Sequence, residues 1–160
     1  MQKAGVIFSS FAMVLFLASV SLAAGTSQLN VSASVVGTCK FNTVSSALGF
    51  GALPVDASGT ALGASATASP AFWCTKGASY TITDDLGLNE AVASTAPRRM
   101  KSTTLGTPEF IDYSIAYTAT GTGSGPGTPI TLTVTGTVGT TYTANSADAY
   151  ADTVTLSINP

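Results

Sequence analysis

The 160-residue chain contains no histidine. That absence excludes Ser-His-Asp and Cys-His triads, imidazole metal ligation and the usual near-neutral proton shuttle. Charge is scarce as well: six Lys and Arg stand against eight Asp and Glu, 9% of the chain, for a formal net charge of -2. A nucleic-acid binder needs a basic face, and six thinly spread cations do not make one. The two cysteines lack the C-x-x-C spacing of a redox pair, and a zinc site would need further ligands that the missing histidines do not supply. No stretch of 12 or more residues repeats its apolar positions at helical spacing. There is no motif of paired carboxylates or of an activated nucleophile, so the chain reads as no enzyme, with no catalytic residue, metal or cofactor.

What is present begins at the N-terminus. Lys3 is the only charge before Lys40. An apolar stretch follows it, ending Met13-Val14-Leu15-Phe16-Leu17-Ala18, and then small residues at Ser19, Ser21, Ala23 and Ala24. A basic start, an apolar core and a small-x-small exit describe a secretory signal peptide over residues 1–23, cleaved after Ala23 or Ala24. Its removal leaves 137 residues (160 minus 23) with five basic (six minus Lys3) and eight acidic side chains, net -3. That length suits one domain.

Export changes the meaning of the cysteines. Cys39 and Cys74 are the only pair, and an even count in an exported chain favours a structural disulfide. The pair encloses 34 residues, a loop whose closure contributes about 4 kcal/mol in the chain-entropy account.

The mature chain reads as all-β. It holds 25 threonines, most in short alternating runs, and Thr, Val, Ile and Tyr suit a pleated, half-buried surface. In the first run, Leu29, Val31, Ala33 and Val35 alternate with Asn and Ser. A short strand is expected at Ala47-Leu48-Gly49-Phe50-Gly51, and a loop or frayed edge strand over residues 55–69. Pro70-Ala71-Phe72-Trp73-Cys74-Thr75 reads as a buried strand with Trp73 packed beside the disulfide. Asp84 and Asp85 read as solvated turn residues, and the Ala96-Pro97-Arg98-Arg99-Met100-Lys101 segment as a solvated loop with Met100 turned inward. Ile111, Tyr113, Ile115 and Tyr117 share a strand face, residues 121–129 form a turn, and Ile130-Thr131-Leu132-Thr133-Val134 alternates again. In the last run, residues 150–158, Val154, Leu156 and Ile158 share a face. Seven or eight strands and one disulfide in a small domain favour an immunoglobulin-like β-sandwich over a closed barrel.

The order and spacing of several pieces carry a resemblance. They are the alternating run into Gly37-Thr38-Cys39, Leu48-Gly49-Phe50-Gly51, Cys74-Thr75-Lys76-Gly77-Ala78-Ser79-Tyr80-Thr81-Ile82, Pro97-Arg98-Arg99-Met100 and Tyr150-Ala151-Asp152-Thr153-Val154-Thr155-Leu156. From about Leu29 to the C-terminus the sequence resembles the spore coat protein U domain family, whose members include pilin subunits of archaic chaperone–usher pili. Residues 118–143, rich in Gly and Thr, depart from the family pattern.

The resemblance implies an incomplete sandwich over residues 37–160 that lacks its final strand, preceded by a donor-strand extension over residues 24–36. It implies a structural subunit of a fimbrium. A periplasmic chaperone lends the subunit a strand, and an outer-membrane usher exchanges that strand for the N-terminal extension of a neighbouring pilin, in a homo- or hetero-polymer. Leu29, Val31, Ala33 and Val35 are then the donor knobs, and Val154, Leu156 and Ile158 belong to the acceptor groove and chaperone contact. Localisation follows: the periplasm, then the cell surface, in support of adhesion and biofilm formation. The alternative is a secreted or coat surface-binding module that does not polymerise. A first strand with unpaired edges weighs toward strand donation.

Overall fold

The computed structural model describes residues 25–90 and 98–160. The expected signal peptide and its cleavage site lie outside the described residues. The chain divides into two units, residues 1–34 and 35–160.

In the first unit, residues 25–34 form no strand, and Leu29 and Val31 are 87% and 84% exposed. Alternation made this run look like a strand. Alternation gives a strand one apolar face but supplies no partner for its backbone, and an unpaired strand has no ladder.

The second unit is all-β. Its first three-stranded sheet has the order β1 (Cys39–Phe41), β3 (Ala71–Cys74), β8 (Ile130–Thr131). A five-stranded sheet runs β10 (Tyr150–Ala151), β5 (Arg98–Ser102), β6 (Phe110–Ala116), β9 (Val134–Val138), β2 (Ala64–Ala68). The third sheet runs β11 (Leu156–Asn159), β4 (Ser79–Asp84), β7 (Thr120–Thr122). Every pairing among the described residues is antiparallel.

The core has two adjoining parts. Ile111, Tyr113, Val138, Ala61 and Tyr142 form one, with Met100, Phe50 and Val154 packed against it. Phe72, Cys74, Ile82, Leu132 and Val134 form the other, with Phe41, Leu156 and Ile158 around it. Ile115 touches both. Phe72 is fully buried and meets Phe41 and Tyr80 edge-on, with ring centroids 5.8 and 5.0 Å away.

Several elements differ from the reading of the sequence. Two alternating runs each break into two strands that belong to different sheets. Residues 130–134 divide between β8 and β9. There Leu132 and Val134 are both buried, and the Leu132 amide donates to the Pro70 carbonyl (2.8 Å), so the run turns a corner. Residues 150–158 divide between β10 and β11, with Asp152 at the break. Residues 47–51 form no strand. The basic loop is strand β5, with Met100 packed on the core as expected. The turn read over residues 121–129 begins inside β7. Trp73 is half-buried and lies opposite Lys40, because the strand's alternation gives the inward positions to Phe72 and Cys74.

Candidate functional site

Among the described residues six strands end a sheet and are paired along one side only, and two of these edges, β1 and β11, lie side by side. β1 pairs with β3, and β11 pairs with β4. Their ends approach each other: a Cβ on Gly37 would lie 3.5 Å from Pro160 Cβ. From there the two edges part, and a cleft of about 630 Å³ opens between them. One wall is Phe41 and the segment that follows it to Leu48, and the other is the stretch Asp152, Thr153, Val154, Thr155 and Leu156. Tyr113, Ile115 and Val134 lie beneath. An apolar cleft between two strand edges offers both side-chain pockets and unpaired backbone groups.

The wall at residues 152–155 belongs to no strand and is fixed from behind by the turn after β4. The Leu88 amide donates to the Thr153 carbonyl (3.1 Å), and the Asp85 amide to the Thr155 carbonyl (3.2 Å). The Thr155 amide donates to Asp85 Oδ1 at 2.8 Å. Asp152 is tied on three sides: Leu88 N and Asn89 Nδ2 donate to its Oδ1, each at 3.0 Å, and the Tyr113 hydroxyl to its Oδ2 at 2.6 Å. The turn passes close to this carboxylate at Gly87, whose φ of +93° suits glycine and where a Cβ would collide with Asp152. Tyr113 therefore ties the floor of the cleft to its wall. Burial and the Asp152 carboxylate together push the Tyr113 phenol well above its ordinary range, so its hydroxyl stays a proton donor.

Behind this wall sits an ion pair between Arg98 and Asp84, whose side chains are 13% and 10% exposed. The Tyr117 hydroxyl donates to Asp84 Oδ2 (2.7 Å), and the Leu86 amide to Oδ1 (3.1 Å). Burial acts to raise the pKa of Asp84, but the hydrogen bonds from Arg98, Tyr117 and Leu86 outweigh it and hold the carboxyl below its usual range. Burial and the neighbouring Asp84 push Tyr117 up to about 12.

The residues singled out in the sequence are placed as follows. Cys39 and Cys74 form the disulfide, directly opposite each other in the β1–β3 register. Val154 and Leu156 line the cleft. Ile158 does not line it and packs on the second part of the core. Leu29, Val31, Ala33 and Val35 are all exposed. The reading missed Tyr113 as a wall tie, Asp152, and the Asp84–Arg98 pair. One signal for Asp152 was present: it shares the parity of Tyr150, Val154, Leu156 and Ile158 and is the one carboxylate on that apolar face.

The spore coat protein U domain model matches residues 25–157. No protein of curated function matches the chain. Among solved structures, the chain is similar to the pre-assembly complex of the CsuC chaperone and the CsuE tip adhesion subunit, from archaic chaperone–usher Csu pili of Acinetobacter baumannii. That similarity has a TM-score of 0.46 and 17% identity, and covers 78% of this chain. The chain spans 40% of the length of the chain it matches there.

Proposed function

The chain belongs to the spore coat protein U domain family, and from that premise we propose that it is a structural pilus subunit that polymerises by donor-strand complementation. One observation carries the reading: the apolar cleft between the free edges of β1 and β11, walled by Val154 and Leu156. The run Leu29, Val31, Ala33, Val35 is its complement, an exposed alternating segment with no strand partner among the described residues. Inserted into the cleft of a neighbouring subunit, this run becomes the missing strand by β-augmentation.

The energetics favour such a contact. Each branched aliphatic knob contributes roughly 1.5–3 kcal/mol on burial, the alanine contributes less, and a backbone ladder adds to the total. Association entropy subtracts from it. The contact is head-to-tail and does not close on itself, so repetition builds a filament. Before assembly a periplasmic chaperone fills the same cleft, and an outer-membrane usher carries out the exchange. The filament stands at the cell surface, where it supports adhesion and biofilm formation.

The test uses the exported full chain and the same chain lacking residues 24–36, each purified from the periplasm and run by size exclusion and by gel without boiling. The expected result is a boiling-sensitive ladder from the full chain, absent from the truncation and weakened by Val31→Asp. Monomers from both forms, equally stable, would exclude strand exchange.

A further inference from the structure

The trough between the strand edges is longer than the first cleft. A second cleft, of about 690 Å³, begins at Leu48 and continues between the chain that follows Leu48 and the stretch Ala147 to Tyr150. Among the described residues, Leu48 is the one that lines both. One wall thus passes through Leu48 from the first cleft to the second, and the other passes from Asp152 to Tyr150 with only Ala151 between them. The floor is continuous along β6, with Ile115 and Tyr113 under the first cleft and Ile111 under the second. Leu48 sits at the junction because β9 has a glycine beneath it: a Cβ on Gly136 would lie 2.6 Å from Leu48 Cδ2.

Extents decide what this junction does. The wall of the first cleft, residues 152–156, covers about 13 Å at ~3.3 Å per step. The four knobs from Leu29 to Val35 span six steps, about 20 Å on the same rise. Along the 152–156 wall the row of four knobs outruns the first cleft, so a strand laid on that wall crosses Leu48 into the second. Three of the four are branched aliphatic residues, and Ala33, third in the row, is the small one.

We propose that Leu48 sets the register of the inserted strand by admitting only a small side chain at the junction of the two clefts, with the N-terminal segment of a second copy of this chain as the occupant. Leu29 and Val31 enter the first cleft, Ala33 passes over Leu48, and Val35 enters the second. The strand then runs antiparallel to residues 147–156, like the strand pairs among the described residues, and parallel to the facing wall that leads from Phe41 past Leu48. This inference rests on the donor-strand reading above and adds the residue that reads knob size.

The experiment is a size swap on the exported full chain, scored as the yield of boiling-sensitive ladder. Ala33→Leu crowds the junction and is expected to lower the yield about tenfold or more. Leu48→Ala added to Ala33→Leu restores it, because the lost volume accommodates the gained one. Ser32→Leu, on the opposite face of the donor, leaves the yield near wild type. Thermal unfolding of each monomer identifies any variant that fails to fold, and the milder pair Ala33→Val with Leu48→Val covers that case. If wild type makes no ladder, the donor-strand reading itself falls. If wild type assembles and Ala33→Leu does too, or if neither Leu48 change restores its partner, only the register assignment is overturned.

Discussion

β6 and the segment at residues 44–53 carry similar side chains toward the same core and are held there by different forces. β6 turns Ile111, Tyr113 and Ile115 inward, and its backbone is paired on both sides, with β5 and β9. The 44–53 segment turns Leu48 and Phe50 inward, and Phe50 meets Tyr113 edge-on at 6.2 Å. Yet its backbone makes no hydrogen bond to the described residues. Side-chain burial is therefore enough to seat a segment, but a ladder is needed to make it a strand. The segment without a ladder keeps its donors and acceptors free, and it forms one wall of the trough. What looks like an unfinished region is the wall of the trough that the donor-strand proposal fills.

The sharpest way to break that contrast is at the root of the segment. The 44–53 stretch runs out of β1, which the disulfide fastens to β3. Replacing both cysteines by alanine is expected to cost about 4 kcal/mol, measured by urea unfolding. A loss below about 1 kcal/mol would mean that the β1–β3 ladder alone fixes the wall.

The laddered side of the comparison is tested at Ile111, which is 4% exposed. Ile111→Ala is expected to cost about 3 kcal/mol in the same assay. A much smaller value would show that the floor of the trough relaxes into the gap.

Electrostatics sharpen the comparison on the opposite wall. Asp84 has its pKa lowered in the folded state, so its stabilisation is complete above the unfolded carboxylate pKa of about 4 and is lost as pH falls through the lower folded value. Wild type should therefore lose stability below about pH 4. Asp84→Asn strands Arg98 and should cost about 2 kcal/mol at neutral pH. Its stability should also depend less on pH in the acid range. Equal acid dependence in the two proteins would assign the acid sensitivity to other carboxylates.

The class of fold was legible in the sequence because period-two alternation and Thr-Val-Ile composition are local properties. The disulfide was legible for a different reason: only one pairing of Cys39 and Cys74 exists. The strand breaks at Leu132 and Asp152 were not, because alternation continues unchanged through a corner where a strand leaves one sheet for another. Half of the site could be read in the same way. Val154 and Leu156 advertise an apolar wall by parity. Asp84 and Arg98 stand 14 residues apart, and their pairing is a product of the fold, as is the tie between Tyr113 and Asp152 across 39 residues. Charged residues near a turn look solvated until a neighbouring strand covers them.

The smallest expected effect is the most informative. Leu48 is half-buried, has no ladder behind it and rests on Gly136. Leu48→Ala should cost about 1 kcal/mol of subunit stability, since the part of its side chain removed from water is only a fraction of that lost at Ile111. If the donor-strand proposal holds, the same change should alter which donor strands enter the trough, because Leu48 lines both clefts. A low cost in stability with a large change in donor selection means that the 44–53 segment is specified for its partner. A cost near that of Ile111→Ala, with donor selection unchanged, would make Leu48 ordinary core. The contrast between laddered and unladdered regions would then be one of geometry alone.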